Sequence, residues 1–154
     1  EEALSLVRDH GFDLIVNART RCIYKKPILQ APRLGCINIH HGLLPHQRGT
    51  MCDLWSLSEK TPTGFSIHRM SEKIDAGQIL RTVKVSDGHE RSYPAYLKRG
   101  VLLELAEIRS VLADIEAQED RLPGQPNTTV PGLKHRRNPN WREIRQIRKS
   151  GLSV

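Results

Sequence analysis

Aromatic side chains are scarce in this chain: two Phe, two Trp and three Tyr among 154 residues. A core built from them is excluded, so the interior is expected to be aliphatic. Long apolar runs are missing too. None approaches the roughly 18 residues a membrane span requires, and no membrane partner is expected. Cysteine is limited to Cys22, Cys36 and Cys52, with no C-x-x-C pair. An odd count without pairing argues against a disulfide framework and for a reduced, cytoplasmic protein. The seven histidines are scattered along the chain, whereas a structural zinc needs clustered ligands, so no metal is expected. Repeats and low-complexity tracts are absent. The opening "EEALSLVRDH" is acidic and amphipathic, unlike a secretory signal.

Charge is plentiful but uneven. Of the formal net charge of +7, +6 lies beyond Pro131, where seven Lys or Arg face the single acid Glu143. The domain proper is therefore near neutral and the basic excess belongs to the tail. Clustered cations of this kind bind phosphate backbones with little specificity, which makes a weak RNA contact one reading; a solvated terminal helix is the other.

Periodicity supplies the elements. Residues 1–10 form an amphipathic helix stopped by Gly11, and "FDLIVNA" (Phe12–Ala18) a buried strand. A short helix over Pro27–Gln30 precedes the strand "GCINIH", and Cys52–Glu59 is helical. "TGFSIHRM" (Thr63–Met70) and Ala76–Val85 are strands. Ser92 caps a long helix to about Glu119, with Leu97, Val101, Leu105, Ile108, Leu112 and Ile115 as one apolar stripe. Residues 122–140 are extended, and "WREIRQIRKSG" forms a last basic helix ending at Gly151. Strands alternate with helices over the first sixty residues. The expected fold class is α/β: a Rossmann-like, mostly parallel sheet flanked by helices, with the last two strands close enough to pair antiparallel. Two units are expected: a partial α/β domain over 1–120, and an extended basic tail over 121–154 with a short terminal helix. Because the chain opens on a helix leading straight into a strand, a first strand–helix–strand unit is expected to be missing from the front.

The stretch with chemical content is "GCINIHHGLLPHQRG" (Gly35–Gly49). Alternation puts Asn38 and His40 on one face of the strand and Ile37 and Ile39 on the other. Ligands of open α/β sheets gather at the carboxyl ends of strands, where these two polar groups lie. By themselves, an Asn and a His at a strand end more commonly bond nearby loop backbone. Likewise Asp75 in "DAG" is by itself an ordinary turn residue.

Together the blocks change the reading. Asn38-Ile39-His40, Gly42-Leu43-Leu44-Pro45, Arg48-Gly49 and then Asp75-Ala76-Gly77 resemble the signature of the folate-dependent formyltransferases. That superfamily includes methionyl-tRNA, sugar-nucleotide and glycinamide ribonucleotide formyltransferases. The likeness runs over roughly Asp13 to Val85, with Asp75 thirty-five residues beyond His40. It implies the following. Formyl transfer runs from 10-formyltetrahydrofolate to a primary amine, without a metal. Asn38 donates to the oxyanion. His40 donates and moves a proton. Asp75 orients His40. The loop Arg21, Cys22, Ile23 and Tyr24 and the segment Met70, Ser71, Glu72, Lys73 and Ile74 wall the folate.

The acceptor implied is a small amine, an amino-sugar nucleotide ahead of methionyl-tRNA. Two alternatives stand beside it: hydrolysis of the same donor, which uses the same three residues, and a non-catalytic module that either keeps the folate pocket or binds RNA through the basic tail. Arg48 either anchors its loop to a carboxylate or touches an acceptor. Arg19, Arg21, His41 and His46 read as solvated, and His68 is unassigned. Nothing in the sequence speaks to oligomeric state.

Overall fold

The computed structural model describes residues 2–20, 22–118, 123–133 and 135–154. Its elements are α1 (Glu2–His10), β1 (Ile15–Ala18), α2 (Lys26–Leu29), β2 (Cys36–His40), α3 (Cys52–Ser58), β3 (Thr63–Arg69), β4 (Ile79–Ser86), α4 (Tyr93–Ala117) and α5 (Trp141–Lys149). The α/β class is as expected. The balance within the sheet is not: four strands run in the order β1-β2-β3-β4, with β1/β2 parallel and both later pairings antiparallel. The sheet is mixed because only the connection from β1 to β2 is a crossover. The chain from β2 to β3 also carries a helix, α3, but returns antiparallel beside β2, and β3 reverses into β4 through an irregular connection.

One face of the sheet is apolar. Ile37, Phe65, Ile67 and Leu80 pack there against Val111 and Ile115 of α4. The Leu97–Ile115 stripe is not the buried line of that helix. Tyr93, Tyr96, Gly100, Val111 and Ile115 turn inward, whereas Val101, Leu105 and Leu112 stay 40%, 57% and 39% exposed. With Leu102 and Leu103 also apolar, α4 is hydrophobic around much of its circumference, and periodicity cannot select one line. Ser92 does cap the helix, accepting from Ala95 N at 3.3 Å.

A second core joins Leu54 and Leu57 of α3, Tyr93 and Tyr96 of α4, and Ile147 and Leu152. Two of the three tyrosines are thus interior, a departure from an all-aliphatic core. The same cluster ties down the C-terminal residues, and α5 opens with a capping box between Asn140 and Glu143. Upstream, Gln125 exchanges two backbone hydrogen bonds with Ile79, and Arg136 bridges beside Gly49. Among the described residues, no helix is long and apolar enough to cross a membrane. Leu122, the expected start of the extended stretch, lies outside the described residues, as does Glu119.

Candidate active site

The sheet's other face carries a polar row. Asn17 on β1, Asn38 on β2 and His68 on β3 are direct cross-strand partners. Asn17 Nδ2 donates to Asn38 Oδ1 at 2.5 Å, and Asn38 Nδ2 lies 3.1 Å from His68 Nε2. Asn38 remains half-buried. Its amide nitrogen carries two hydrogens, so one is left for a ligand.

His40 closes β2 two residues on and is buried. Its Nε2 lies 2.6 Å from the Gln47 carbonyl. A carbonyl only accepts, so Nε2 carries the hydrogen. The neutral ring then turns the Nδ1 lone pair toward Asp75 Oδ1, 3.4 Å away. Burial holds His40 below the ordinary imidazole range, with Asp75 pulling it upward. A lone pair facing a carboxylate oxygen across this gap is a ready place for one proton. Ser66, the cross-strand partner of His40, accepts from Leu44 N and donates to Gly42 O, which sets the course of the loop leaving β2.

Asp75 is delivered by the β3–β4 connection with φ at +51°, a left-handed conformation that Asp tolerates better than most side chains. Its Oδ2 accepts from Gly49 N at 2.9 Å. The turn is held by Asn127, whose Nδ2 donates to the carbonyls of Asp75 and Gly77 at 3.0 and 2.8 Å. Arg48, only 2% exposed, donates to Asn127 Oδ1 at 2.7 Å and to the Pro45 carbonyl at 3.2 Å. Arg48 is therefore an anchor, but onto an amide and carbonyls, not a carboxylate.

His41 is not solvated. Its Nδ1 lies 3.2 Å from Asp53 Oδ2 and its Nε2 3.1 Å from Glu104 Oε1. Burial pulls its pKa down, but the two carboxylates overcome that and raise it to about 9. Tyr93 OH donates to Asp53 as well. Arg19 also faces this cluster, 3.9 Å from Glu104, while remaining half exposed. His46 is exposed, as expected.

The two expected folate walls come together in part. A cleft of about 310 Å³ is lined by Ile23, Tyr24, Lys25, Lys26, Pro27 and Glu72. Of the remaining wall residues, Cys22, Ser71, Lys73 and Ile74 are exposed and Met70 is half-buried, its N–H bonded to the Cys36 carbonyl at 2.7 Å. Arg21 lies outside the described residues. The exposure of Ile23 (63%) and Ile74 (56%) leaves two apolar side chains available to a flat ring. Residues that the sequence reading passed over are Asn17, Gln47, His68 and Asn127. Asn17 had a signal: an amide inside the apolar run "FDLIVNA", placed like Asn38 in its own strand.

The formyl transferase family model matches residues 1–106. A methionyl-tRNA formyltransferase of Bacillus cytotoxicus is 47% identical over 74 residues, which is 47% of this chain and 24% of that enzyme. The aligned part thus spans about a quarter of the curated relative's length. A 4-N formyltransferase from Francisella tularensis superposes with a TM-score of 0.66 at 23% identity, covering 89% of this chain and 53% of that one. The formyltransferase PseJ from Anoxybacillus kamchatkensis was solved with UDP-4,6-dideoxy-4-formamido-L-AltNAc and tetrahydrofolate. It superposes with a TM-score of 0.61 at 21% identity, covering 81% of this chain and 64% of that one.

Proposed function

Because this chain belongs to the formyl transferase family, we propose that Asn38, His40 and Asp75 carry out formyl transfer from 10-formyltetrahydrofolate to a primary amine. The convergence of the three polar groups is the observation that carries the reading: His40 Nδ1 stands 3.4 Å from Asp75, and Asn38 is its neighbour on the same strand face. The amine attacks the formyl carbon, giving a tetrahedral adduct with an oxyanion and an ammonium. The free Asn38 N–H donates to the oxyanion; one such donor contributes about 3 kcal/mol at comparable sites. The proton shed by the ammonium enters the gap between His40 Nδ1 and Asp75 Oδ1. It is returned to N10 of the folate as the carbon–nitrogen bond breaks, leaving tetrahydrofolate and the formamide.

The folate sits against Ile23 and Tyr24, with Glu72 on the opposite wall. Lys25 and Lys26, both at this cleft, give its anionic tail two cations. Cys22, Met70, Ser71, Lys73 and Ile74 complete the donor's surroundings in this reading. The acceptor we favour is an amino-sugar nucleotide, the kind of molecule whose formylated form is bound to PseJ. Methionyl-tRNA is the second candidate, favoured by the 47% identity to enzymes named for it. The test is incubation of the chain with 10-formyltetrahydrofolate and, in parallel, a UDP-linked 4-amino sugar, methionyl-tRNA, or no acceptor. Formylated sugar detected by mass spectrometry is the expected outcome. Formylated tRNA alone would move the acceptor. Formate released equally in all three would replace transfer with hydrolysis, and folate binding without turnover would leave only a binding module.

A further inference from the structure

His68 belongs to none of the three roles just assigned, yet its ring lies between two of their side chains. Nε2 is 3.1 Å from Asn38 Nδ2 and 3.8 Å from Asp75 Oδ1, while Nδ1 is 2.8 Å from the carbonyl of Arg69. We propose that His68 is a positioning residue: it ends a one-way hydrogen-bond chain, Thr20 to Asn17 to Asn38 to His68 to the Arg69 carbonyl, that decides which way the Asn38 amide points. The idea rests on the formyl-transfer reading for its kinetic consequences, but the chain itself is a matter of geometry.

The direction is fixed from its far end. The Arg69 carbonyl can only accept, so His68 Nδ1 carries a hydrogen. In the neutral ring Nε2 is then bare and must accept, and the group facing it is the Asn38 nitrogen. The Asn38 oxygen is thereby turned to the other side, where Asn17 Nδ2 donates to it at 2.5 Å. The Asn17 oxygen in turn takes the Thr20 hydroxyl, also at 2.5 Å. Each step forces the next. Flipping Asn38 alone would set oxygen against the Nε2 lone pair and nitrogen against nitrogen, so two contacts would be lost together. The row is built into the sheet, because Asn17, Asn38 and His68 are register partners on three adjacent strands.

The charge state of His68 therefore matters. A proton on Nε2 would face the Asn38 nitrogen head-on and would be drawn to Asp75 instead. The charged or titratable groups facing the ring are His40 from β2, Arg48 from the loop after it, and Asp75 from the β3–β4 connection. Burial, the first and largest influence, keeps the ring neutral; the Arg69 carbonyl and Asp75 pull the other way, and His40 and Arg48 act with burial. Acidification breaks the chain and frees the Asn38 amide to turn its oxygen toward the reacting carbonyl.

The test compares His68→Gln, whose side-chain oxygen can accept but cannot titrate, with His68→Leu, which does neither. His68→Leu should lower kcat about 10- to 100-fold with KM for 10-formyltetrahydrofolate nearly unchanged. His68→Gln should recover most of kcat and move the acid limb of the kcat profile to lower pH. If Gln is as impaired as Leu, or Leu is as active as the natural chain, the proposal is wrong. A readout free of turnover accompanies this: ¹⁵N spectra of the full chain near neutral pH. They should show His68 with Nδ1 protonated and Nε2 bare. They should also show Asn38 side-chain amide protons protected in the natural chain and in His68→Gln but exposed to exchange in His68→Leu. An Nε2–H tautomer or a charged ring overturns the proposal, even where His68→Leu fails to fold. Absence of formyl transfer with this tautomer and this protection intact would count against the transfer reading and for the chain.

Discussion

Asp75 Oδ1 lies 3.4 Å from His40 Nδ1, although the two residues are thirty-five positions apart and arrive from different elements. Two independent supports produce this approach. Gly49 N–H grips the other carboxylate oxygen, and Asn127 grips the backbone on either side of Ala76. The carboxylate is thus aimed before any ligand binds.

Its loss should be costly in rate and cheap in stability. Asp75→Asn keeps an oxygen for Gly49 N–H but removes the charge that balances a proton on His40; kcat should fall by about 100-fold or more. Asn38→Ala should cost about 100- to 1,000-fold through the missing oxyanion donor. Steady-state kinetics alongside thermal unfolding checks both. A melting temperature within a few degrees of the natural chain, with kcat unaltered, would remove these residues from the reaction.

Asn127 carries a structural prediction. It serves Asp75, Gly77 and the nearly inaccessible Arg48 at once. Asn127→Ala leaves two carbonyls and a buried guanidinium short of partners, so unfolding free energy should drop by about 2–4 kcal/mol. Because the Asp75 turn sits in a left-handed conformation, it should also relax. A roughly tenfold loss of kcat should accompany the drop. Urea titration and kinetics on the same preparation test the pair; a stability loss with no rate loss would show that Asp75 is held without Asn127.

Gly42 is a packing constraint on the imidazole. A methyl group there would stand 2.7 Å from His40 Nε2 and 2.8 Å from the Gln47 carbonyl, the two atoms of one hydrogen bond. Cys52 Cβ, at 3.0 Å, blocks retreat on the third side. Gly42→Ala should destabilise by about 1–3 kcal/mol and displace the ring. Retained kcat in this variant would mean that the His40–Gln47 contact is dispensable.

These cases show why the site was partly legible. Asn38, His40 and Asp75 were readable because a motif carries them, and alternation alone put the first two on one strand face. His68 and Asn17 obeyed the same alternation, but their meaning depends on register: a polar residue in one strand says little until its neighbours across the sheet are known. Asn127 was out of reach for a different reason. It contacts Asp75 across fifty-two residues from an irregular segment with no periodicity to read. His41 reads as solvated from sequence because a loop histidine gives no hint that a carboxylate on α3 and another on α4 converge on it. The helix boundaries, which depend on caps and Gly, came within two residues nearly throughout, while the face α4 buries did not follow from its sequence.

The His41 cluster leads to a pH prediction. Paired with Asp53 and Glu104, His41 titrates near 9 in the folded chain, against an ordinary value of about 6.5 when unfolded. Between those values the folded state binds the extra proton. Its contribution, about 3 kcal/mol, is therefore fully present below pH 6.5 and is lost as pH rises toward 9. His40 and His68 act in the opposite sense. Burial depresses both, so below pH 6.5 the unfolded chain takes up protons that the folded one refuses, and stability falls on acidification. For these three groups the maximum lies near pH 6.5. His41→Gln should flatten the alkaline side of the curve and shift the maximum upward, leaving the acid side in place. Urea unfolding at pH 5.5, 6.5, 8 and 9.5 decides it: curves for the two chains that stay parallel from 6.5 to 9.5 would mean that His41 is not held in its charged form by Asp53 and Glu104.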